Sequence, residues 1–163
     1  MSSFNLILFD RDGILNKKPS EGHYVTSKRT LYVFEDVLDR IANLSKSFSY
    51  ACVTNQQGIG KGLFSQGELE RINAVIVDRI KQKGGKEMPF FVCPHLESVK
   101  CFCRKPSPGL LLQALRFFNA KQEETLFIGD SETDRSAGIA AGISFRMSSS
   151  NAETIEILSE IDR

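Results

Sequence analysis

The chain has 163 residues, of which 41% are hydrophobic and 25% charged, the composition of a globular protein of single-domain size. A formal net charge of +1 gives no electrostatic reason to expect nucleic acid or a membrane surface as partner, and no apolar run approaches the ~20 residues of a membrane span. No basic segment precedes the first apolar run, and the sequence shows no internal repeat, low-complexity stretch or linker, so a cytoplasmic monomer with one domain over residues 1–163 is expected.

The run Phe4-Asn5-Leu6-Ile7-Leu8-Phe9 is too short for a buried helix and reads as a core strand of a parallel sheet. It ends in Asp10-Arg11-Asp12-Gly13. Side chains alternate along an extended chain, so Asp10 and Asp12 can face the same way at the strand's C-terminal end, with Arg11 directed elsewhere. Ligands of open α/β sheets bind at that edge. Two acids there can hold a divalent cation, or divide into nucleophile and general acid; a solvated Asp-Gly turn would do neither.

Residues 14 to 34 read as a loop, too short for a lid domain, in which His23 is an ordinary exposed histidine. Glu35 to Lys46 has the periodicity of a helix through Val37, Leu38, Ile41 and Leu44. Tyr50 to Thr54 is a second buried strand. The stretch after it, Thr54-Asn55-Gln56-Gln57-Gly58-Ile59-Gly60-Lys61-Gly62, offers a hydroxyl, side-chain amides and glycine-loop N–H groups to phosphate oxygens. Ser65 and Glu68 form a capping box for a helix that buries Leu69, Ile72, Ile76 and Ile80 and runs out at Gly84-Gly85.

Phe90 to Val92 is a short third strand. It opens a segment in which Cys93, His95, Cys101 and Cys103 supply four ligand-type side chains within eleven residues. The spacing gives a closed, structural Zn²⁺ set with no open coordination position. Cys52, inside an apolar strand, reads as a plain buried thiol. The zinc segment has little apolar content of its own, so the metal would staple a loop that packing cannot hold, and would place Arg104 and Lys105 directly after it. Ser107-Pro108 is expected to cap a helix bearing Leu111, Leu112, Leu115 and Phe118. Thr125 to Ile128 is a fourth strand, delivering Asp130 and Asp134 to the same edge. A helix to Ala141, a strand from Ile143 to Met147, and a last helix capped by Ser150 with Ile155, Leu158 and Ile161 inward complete the chain.

Strands alternate with helices throughout, which predicts an α/β, doubly wound parallel sheet. In the order 3-2-1-4-5 the first and fourth strands are neighbours, and Asp10, Asp12, Asp130 and Asp134 meet in one crevice beside Thr54 and Lys105. Carboxylates so close repel one another unless a cation lies among them, and an oxygen-only set suits Mg²⁺.

Asp10-Arg11-Asp12-Gly13, Thr54-Asn55-Gln56, Lys105 and Gly129-Asp130 through Asp134 resemble the four motifs of the haloacid dehalogenase superfamily of phosphohydrolases. The zinc segment followed by Arg104-Lys105-Pro106 resembles a narrower group, the heptose bisphosphate phosphatases and histidinol-phosphatase domains. Asn16, Tyr24-Val25, Gly58 to Gly62 and Pro106 to Gly109 look like the heptose pattern, while Ser131 stands where a lysine is frequent. The resemblance implies the Rossmann-like haloacid dehalogenase fold without a cap domain and a Mg²⁺-dependent phosphatase acting on a small phosphorylated metabolite. It implies Asp10 as nucleophile forming an aspartyl-phosphate, Asp12 as acid then base, and Thr54 and Lys105 on the phosphoryl oxygens. Mg²⁺ would be held by Asp10, the Asp12 carbonyl and Asp130, with Asp134 in support, and substrate by Asn55, Gln56, Gln57 and Arg104. Histidinol phosphate is the alternative substrate. A non-catalytic phosphate- and zinc-binding module or a receiver-like domain is the alternative of another class, although a receiver would need a lone aspartate where the third strand runs into Cys93.

Overall fold

The computed structural model describes residues 4–44 and 46–162. Five strands, β1 (Leu6–Phe9), β2 (Ser49–Asn55), β3 (Phe90–Cys93), β4 (Thr125–Gly129) and β5 (Ser144–Met147), form one parallel sheet in the order β3-β2-β1-β4-β5. Five helices, α1 (Glu35–Leu44), α2 (Gln66–Gln82), α3 (Gly109–Phe118), α4 (Glu132–Ala141) and α5 (Asn151–Ile161), cover its two faces. This is the doubly wound topology expected from the alternation of elements.

The sheet's central strands are buried on both sides. Ile7 and Phe9 of β1 pack with Tyr50, Cys52, Leu126 and Ile128 against α1, α2 and α5. Leu6 and Leu8 pack with Ala51, Val53 and Phe127 against Leu110, Leu111, Ala114, Ala137 and Ala141 of α3 and α4. Such two-sided burial explains why the strands read as continuous apolar runs rather than alternating ones. Truncating one of these fully buried side chains to alanine costs about 2–5 kcal/mol.

Several local expectations are corrected. Helix α1 is seen over Glu35–Leu44 and Lys46 lies in a turn rather than in the helix, while Ser45, within the expected span, lies outside the described residues. Only half of the α2 capping box forms: Ser65 Oγ accepts from the Glu68 N–H, but the Glu68 carboxylate pairs with Arg71. Ser107 does not cap α3. Pro108 occupies that position, and the Gly109 N–H donates instead to the Phe102 carbonyl at 3.1 Å. A Cβ at Gly109 would lie 2.4 Å from that carbonyl oxygen, so the start of α3 is fastened to the cysteine-rich loop. On α5, Thr154, Ile157 and Leu158 are buried, while Ile155 and Ile161 are only partly covered.

The chain from Gly13 to Phe34 contains a single 3-10 turn, Lys28–Thr30, and the chain from Gln56 to Arg104 is used by α2, β3 and a second 3-10 turn, Glu97–Val99. Neither interval folds into a lid. Among the described residues, no helix is long and apolar enough to cross a membrane.

Candidate active site

The register of β1 on β4 places Phe9 beside Ile128, and the Asp10 N–H closes the ladder on the Ile128 carbonyl at 3.0 Å. Asp10 and Asp130 therefore leave adjacent strand ends together. Between them and Asp134 stands Lys105, 3% exposed, whose ammonium lies 3.0 Å from Asp10 Oδ1 and 2.7 Å from Asp134 Oδ1. It also donates to the Val53 carbonyl at 3.0 Å, so each of its three N–H bonds has an acceptor. Asn55 clamps the backbone behind it: Nδ2 donates to the Lys105 carbonyl, and Oδ1 accepts from the Lys105 N–H, both at 3.0 Å.

Two glycines make room for this packing. A Cβ at Gly129 would meet Asp134 Oδ2 at 2.5 Å, the same oxygen that accepts from the Asp130 N–H at 3.1 Å. At Gly13, whose φ is +93°, a Cβ would fall 2.2 Å from Asp130 Oδ2. Any side chain there would strain the backbone and strike the acid.

Burial pushes the Asp10 carboxyl up to about 8, against the pull of Lys105 and with repulsion from Asp134, Asp130 and Asp12. For Lys105, burial favours the neutral form, but Asp10 and Asp134 outweigh it and hold the ammonium charged well above the usual range. Asp134 is lowered: its burial is outweighed by Lys105 and by the bond that lysine donates.

Asp12 is held from the opposite side. Asn16 Nδ2 donates to its Oδ1 at 2.9 Å, and Gln56 Nε2 reaches its Oδ2 at 3.3 Å. Arg11 does not turn away as alternation suggests. Its guanidinium curls back through the interior and donates to Asp12 Oδ1 at 3.0 and 3.2 Å.

These groups line a cleft of about 250 Å³ whose walls are Asp10, Asp12, Lys18, Thr54, Asn55, Arg104, Lys105, Asp130, Ser131, Thr133 and Asp134. Gln56 and Gln57 lie outside it. Gln56 is buried and donates to Thr54 Oγ1 at 2.9 Å, while Gln57 donates to the Tyr24 hydroxyl. In the glycine loop, the N–H groups of Gln56 and of Ile59 through Leu63 close on carbonyls of this loop or of Cys93 and Pro94, so they are already engaged within the fold. Gly60 serves contact, since a Cβ there would approach the Pro94 carbonyl oxygen to 2.8 Å, whereas Gly62, with a φ of +74° and open space around it, serves the turn. His23 belongs to a neighbouring hollow with Tyr24 and Tyr32. Lys18, absent from the residues singled out by sequence, donates to Asp130 Oδ2 at 2.8 Å. The signal available for it was a pair of lysines in the loop leaving the acidic edge.

Arg104 forms the cleft wall next to Lys105, and its Nη1 is buried without a hydrogen-bond partner among the described residues. An orphaned buried guanidinium nitrogen is a directional donor awaiting an anion.

The acidic group fits a hard divalent cation. One oxygen each from Asp10, Asp130 and Asp134 lies within 4.8 Å of the others, and Asp130 Oδ1 is buried with no partner. The second group is Cys93, His95, Cys101 and Cys103. Cys93 Sγ lies 3.5 Å from Cys101 Sγ and 3.2 Å from Cys103 Sγ, and His95 Nδ1 is 3.5 and 3.2 Å from Cys93 and Cys103. These separations exclude disulfides and approach the ~3.8 Å edge of a tetrahedron built on ~2.3 Å zinc–sulfur bonds. At Cys101, burial is outweighed by bonds from the Arg104 backbone and the neighbouring thiols, which bring it down to about 6. Burial and the neighbouring Cys103 push Cys93 up to about 12, and burial raises Cys103, so only one of the three thiols ionises readily without a cation. A zinc ion in this group would have to displace the other two protons.

A family model described as HAD-hydrolase-like matches residues 102–159, the part of the chain that carries Arg104, Lys105, Asp130 and Asp134. Over 138 residues the chain is 35% identical to the D-glycero-beta-D-manno-heptose-1,7-bisphosphate 7-phosphatase of Neisseria meningitidis, covering 84% of this chain and 73% of that protein. It is 29% identical to the histidine biosynthesis bifunctional protein HisB of Campylobacter jejuni, covering 81% of this chain but 38% of that one. In structure it superposes on the D,D-heptose 1,7-bisphosphate phosphatase of B. bronchiseptica, complexed with magnesium and phosphate, with a TM-score of 0.87 at 27% identity, covering 96% of this chain and 99% of that one.

Proposed function

The chain belongs to the haloacid dehalogenase-like phosphatases, in the heptose-1,7-bisphosphate 7-phosphatase family, and on that premise we propose that it removes the 7-phosphate of D-glycero-D-manno-heptose 1,7-bisphosphate. One observation carries the choice of a bisphosphate. Lys105 is committed to the reacting end of the cleft, whereas Arg104 beside it keeps a buried, unpaired Nη1 for a second anion.

In this reading Asp10 attacks phosphorus as the ester P–O bond breaks, and Asp12 gives its proton to the departing sugar oxygen. Asp12, now a carboxylate, takes a proton from the water whose oxygen attacks the aspartyl-phosphate; the bond from Asp10 to phosphorus breaks and phosphate leaves. Lys105 and the Thr54 hydroxyl stabilise negative charge on the equatorial oxygens. Asn55 contributes by fixing Lys105, and Asp134 by fixing both Lys105 and the Asp130 backbone. Mg²⁺ would be held by Asp10, the Asp12 carbonyl and Asp130, and when bound it neutralises charge on the transferring group. Zn²⁺ would be held by Cys93, His95, Cys101 and Cys103 as a structural ion.

Arg104→Ala tests the bisphosphate assignment. A guanidinium–phosphate bond is charge-assisted, so its loss is expected to raise KM for the heptose bisphosphate about tenfold or more. KM for a simple monophosphate should change little. Steady-state kinetics on both, with histidinol phosphate as a third substrate, decide the matter; equal losses on all three would make Arg104 a general phosphoryl contact.

Mg²⁺ should also stabilise the protein in a pH-dependent way. Asp10 has its folded pKa raised to about 8, so in metal-free protein its ionisation weakens the fold progressively as pH rises from the ordinary carboxylate range toward that value. The cation binds the ionised form and competes with the proton. The gain in Tm on adding Mg²⁺ should therefore be larger near pH 8 than near pH 5. Thermal melts at both pH values check it, and an equal gain would remove Asp10 from the metal site.

A further inference from the structure

Arg11 is the largest side chain fully buried among the described residues, and the chemistry above leaves it without a task. A guanidinium is costly to bury unless it is paired and hydrogen-bonded. Its partners explain its position. Nε and Nη2 both donate to Asp12 Oδ1, at 3.2 and 3.0 Å, while Nη1 donates to Asn73 Oδ1 at 3.1 Å. Asn73 is on the buried face of α2 and 7% exposed, so the guanidinium is tied to a helix behind the sheet edge. Asn16 adds a third N–H to the same Asp12 oxygen at 2.9 Å. Oδ1 is thus saturated, and rotating the carboxyl would strip it of three donors. Oδ2 carries only the 3.3 Å contact from Gln56 and belongs to the 23%-exposed side chain that lines the cleft.

We propose that Arg11, anchored by Asn73, is the positioning residue of the acid–base step: it locks the Asp12 carboxyl so that Oδ2 alone gives the proton to the leaving oxygen and takes it from water. The inference rests on the reading of Asp12 as acid and base, and it assigns to a buried arginine a role in rate rather than in stability alone. A fork with two N–H groups on one oxygen and a third on a separate anchor fixes orientation as a lysine ammonium cannot.

The test is pre-steady-state kinetics of Arg11→Met and Asn73→Ala on two substrates. p-Nitrophenyl phosphate has a leaving group that needs no proton; the sugar bisphosphate has one that does. With the aryl substrate, Arg11→Met should release a rapid burst of about one nitrophenol per site at close to the wild-type rate. Steady turnover should then be slower by about a hundredfold, because hydrolysis of the aspartyl-phosphate needs the positioned base. With the bisphosphate the burst should vanish, since both steps need Asp12. Arg11→Lys should recover only part of the rate, and Asn73→Ala should show the same pattern more weakly, which keeps the test open should Arg11→Met not fold. Losses in proportion on both substrates with a reduced burst, or wild-type kinetics in Asn73→Ala, would overturn the proposal. Asp12→Asn is the control: a burst in it but not in the Arg11 or Asn73 variants defeats the proposal alone, whereas wild-type turnover in Asp12→Asn defeats the acid–base reading and the proposal with it.

Discussion

Asp10→Asn is expected to lose activity by a factor of at least about a hundred while melting no lower than the parent protein. An amide is not a competent nucleophile at phosphorus, so the aspartyl-phosphate does not form. The surroundings tolerate the exchange. The amide's oxygen can still accept from the Arg11 N–H, which now donates to Asp10 Oδ1 at 2.8 Å, and Lys105 keeps Asp134 at 2.7 Å. The electrostatics favour the variant in the absence of metal. Asp10 is a carboxyl whose pKa burial and neighbouring acids raise to about 8, so above the ordinary carboxylate range its ionised form opposes folding. Asparagine removes that penalty. In metal-free buffer near pH 8 the variant should melt higher than the parent; near pH 4 the two should converge. Phosphate release and thermal melts on the same preparation separate the effects. Activity within a factor of about a hundred of wild type would sink the nucleophile assignment. A large drop in Tm would show Asp10 to be structural.

Much of this site is legible in the chain because its chemistry is carried by residues with a fixed relation to the backbone. Asp10 and Asp12 follow directly on the end of a buried strand and both line the cleft, and a parallel sheet brings Asp130 alongside once the strand order is known. The group of three cysteines and a histidine is legible because four ligand-type residues in eleven are a spacing pattern before they are a structure. Arg11 was misread for a related reason. Alternation holds along a strand, but β1 ends at Phe9 and Arg11 lies in a bend, from which its long side chain reaches the carboxylate next to it in sequence. Lys18 lies in a loop without period, where no pattern says which strand end it will meet. The glycine-rich stretch after β2 announces a turn but not the acceptors of its N–H groups; those of Gln56 and of Ile59 through Leu63 are its own carbonyls and the cysteine-rich loop. Ser107 matches a helix cap in sequence, yet the bond from Gly109 to Phe102 prevailed, a tertiary contact that local propensity cannot foresee.

That contact gives the second large expected effect, on removal of zinc. The loop from Cys93 to Cys103 has almost no core of its own: Val99 and Phe102 are 57% and 66% exposed, and within it Cys93, His95, Cys101 and Cys103, the set proposed to hold zinc, lie together. Its consequences are wide. The Phe102 carbonyl holds the first turn of α3, the Cys93 and Pro94 carbonyls hold the loop after β2, and Arg104 and Lys105 follow the last thiol directly. Structural zinc sites couple to folding by about 10–16 kcal/mol in small peptides, and only part of that would be needed to hold a loop already fastened at these points. Cys103→Ser is therefore expected to lower stability by several kcal/mol, on the order of a quarter of that range, and to reduce activity in the same samples. Elemental analysis should find about one zinc per chain in the parent and far less in the variant. Chelation should act alike, with a diagnostic order of recovery: Mg²⁺ added in excess to chelated protein should leave activity low, and zinc with Mg²⁺ should restore it. Full recovery with Mg²⁺ alone, together with an unchanged Tm in Cys103→Ser, would show that the loop holds Arg104 and Lys105 without a metal.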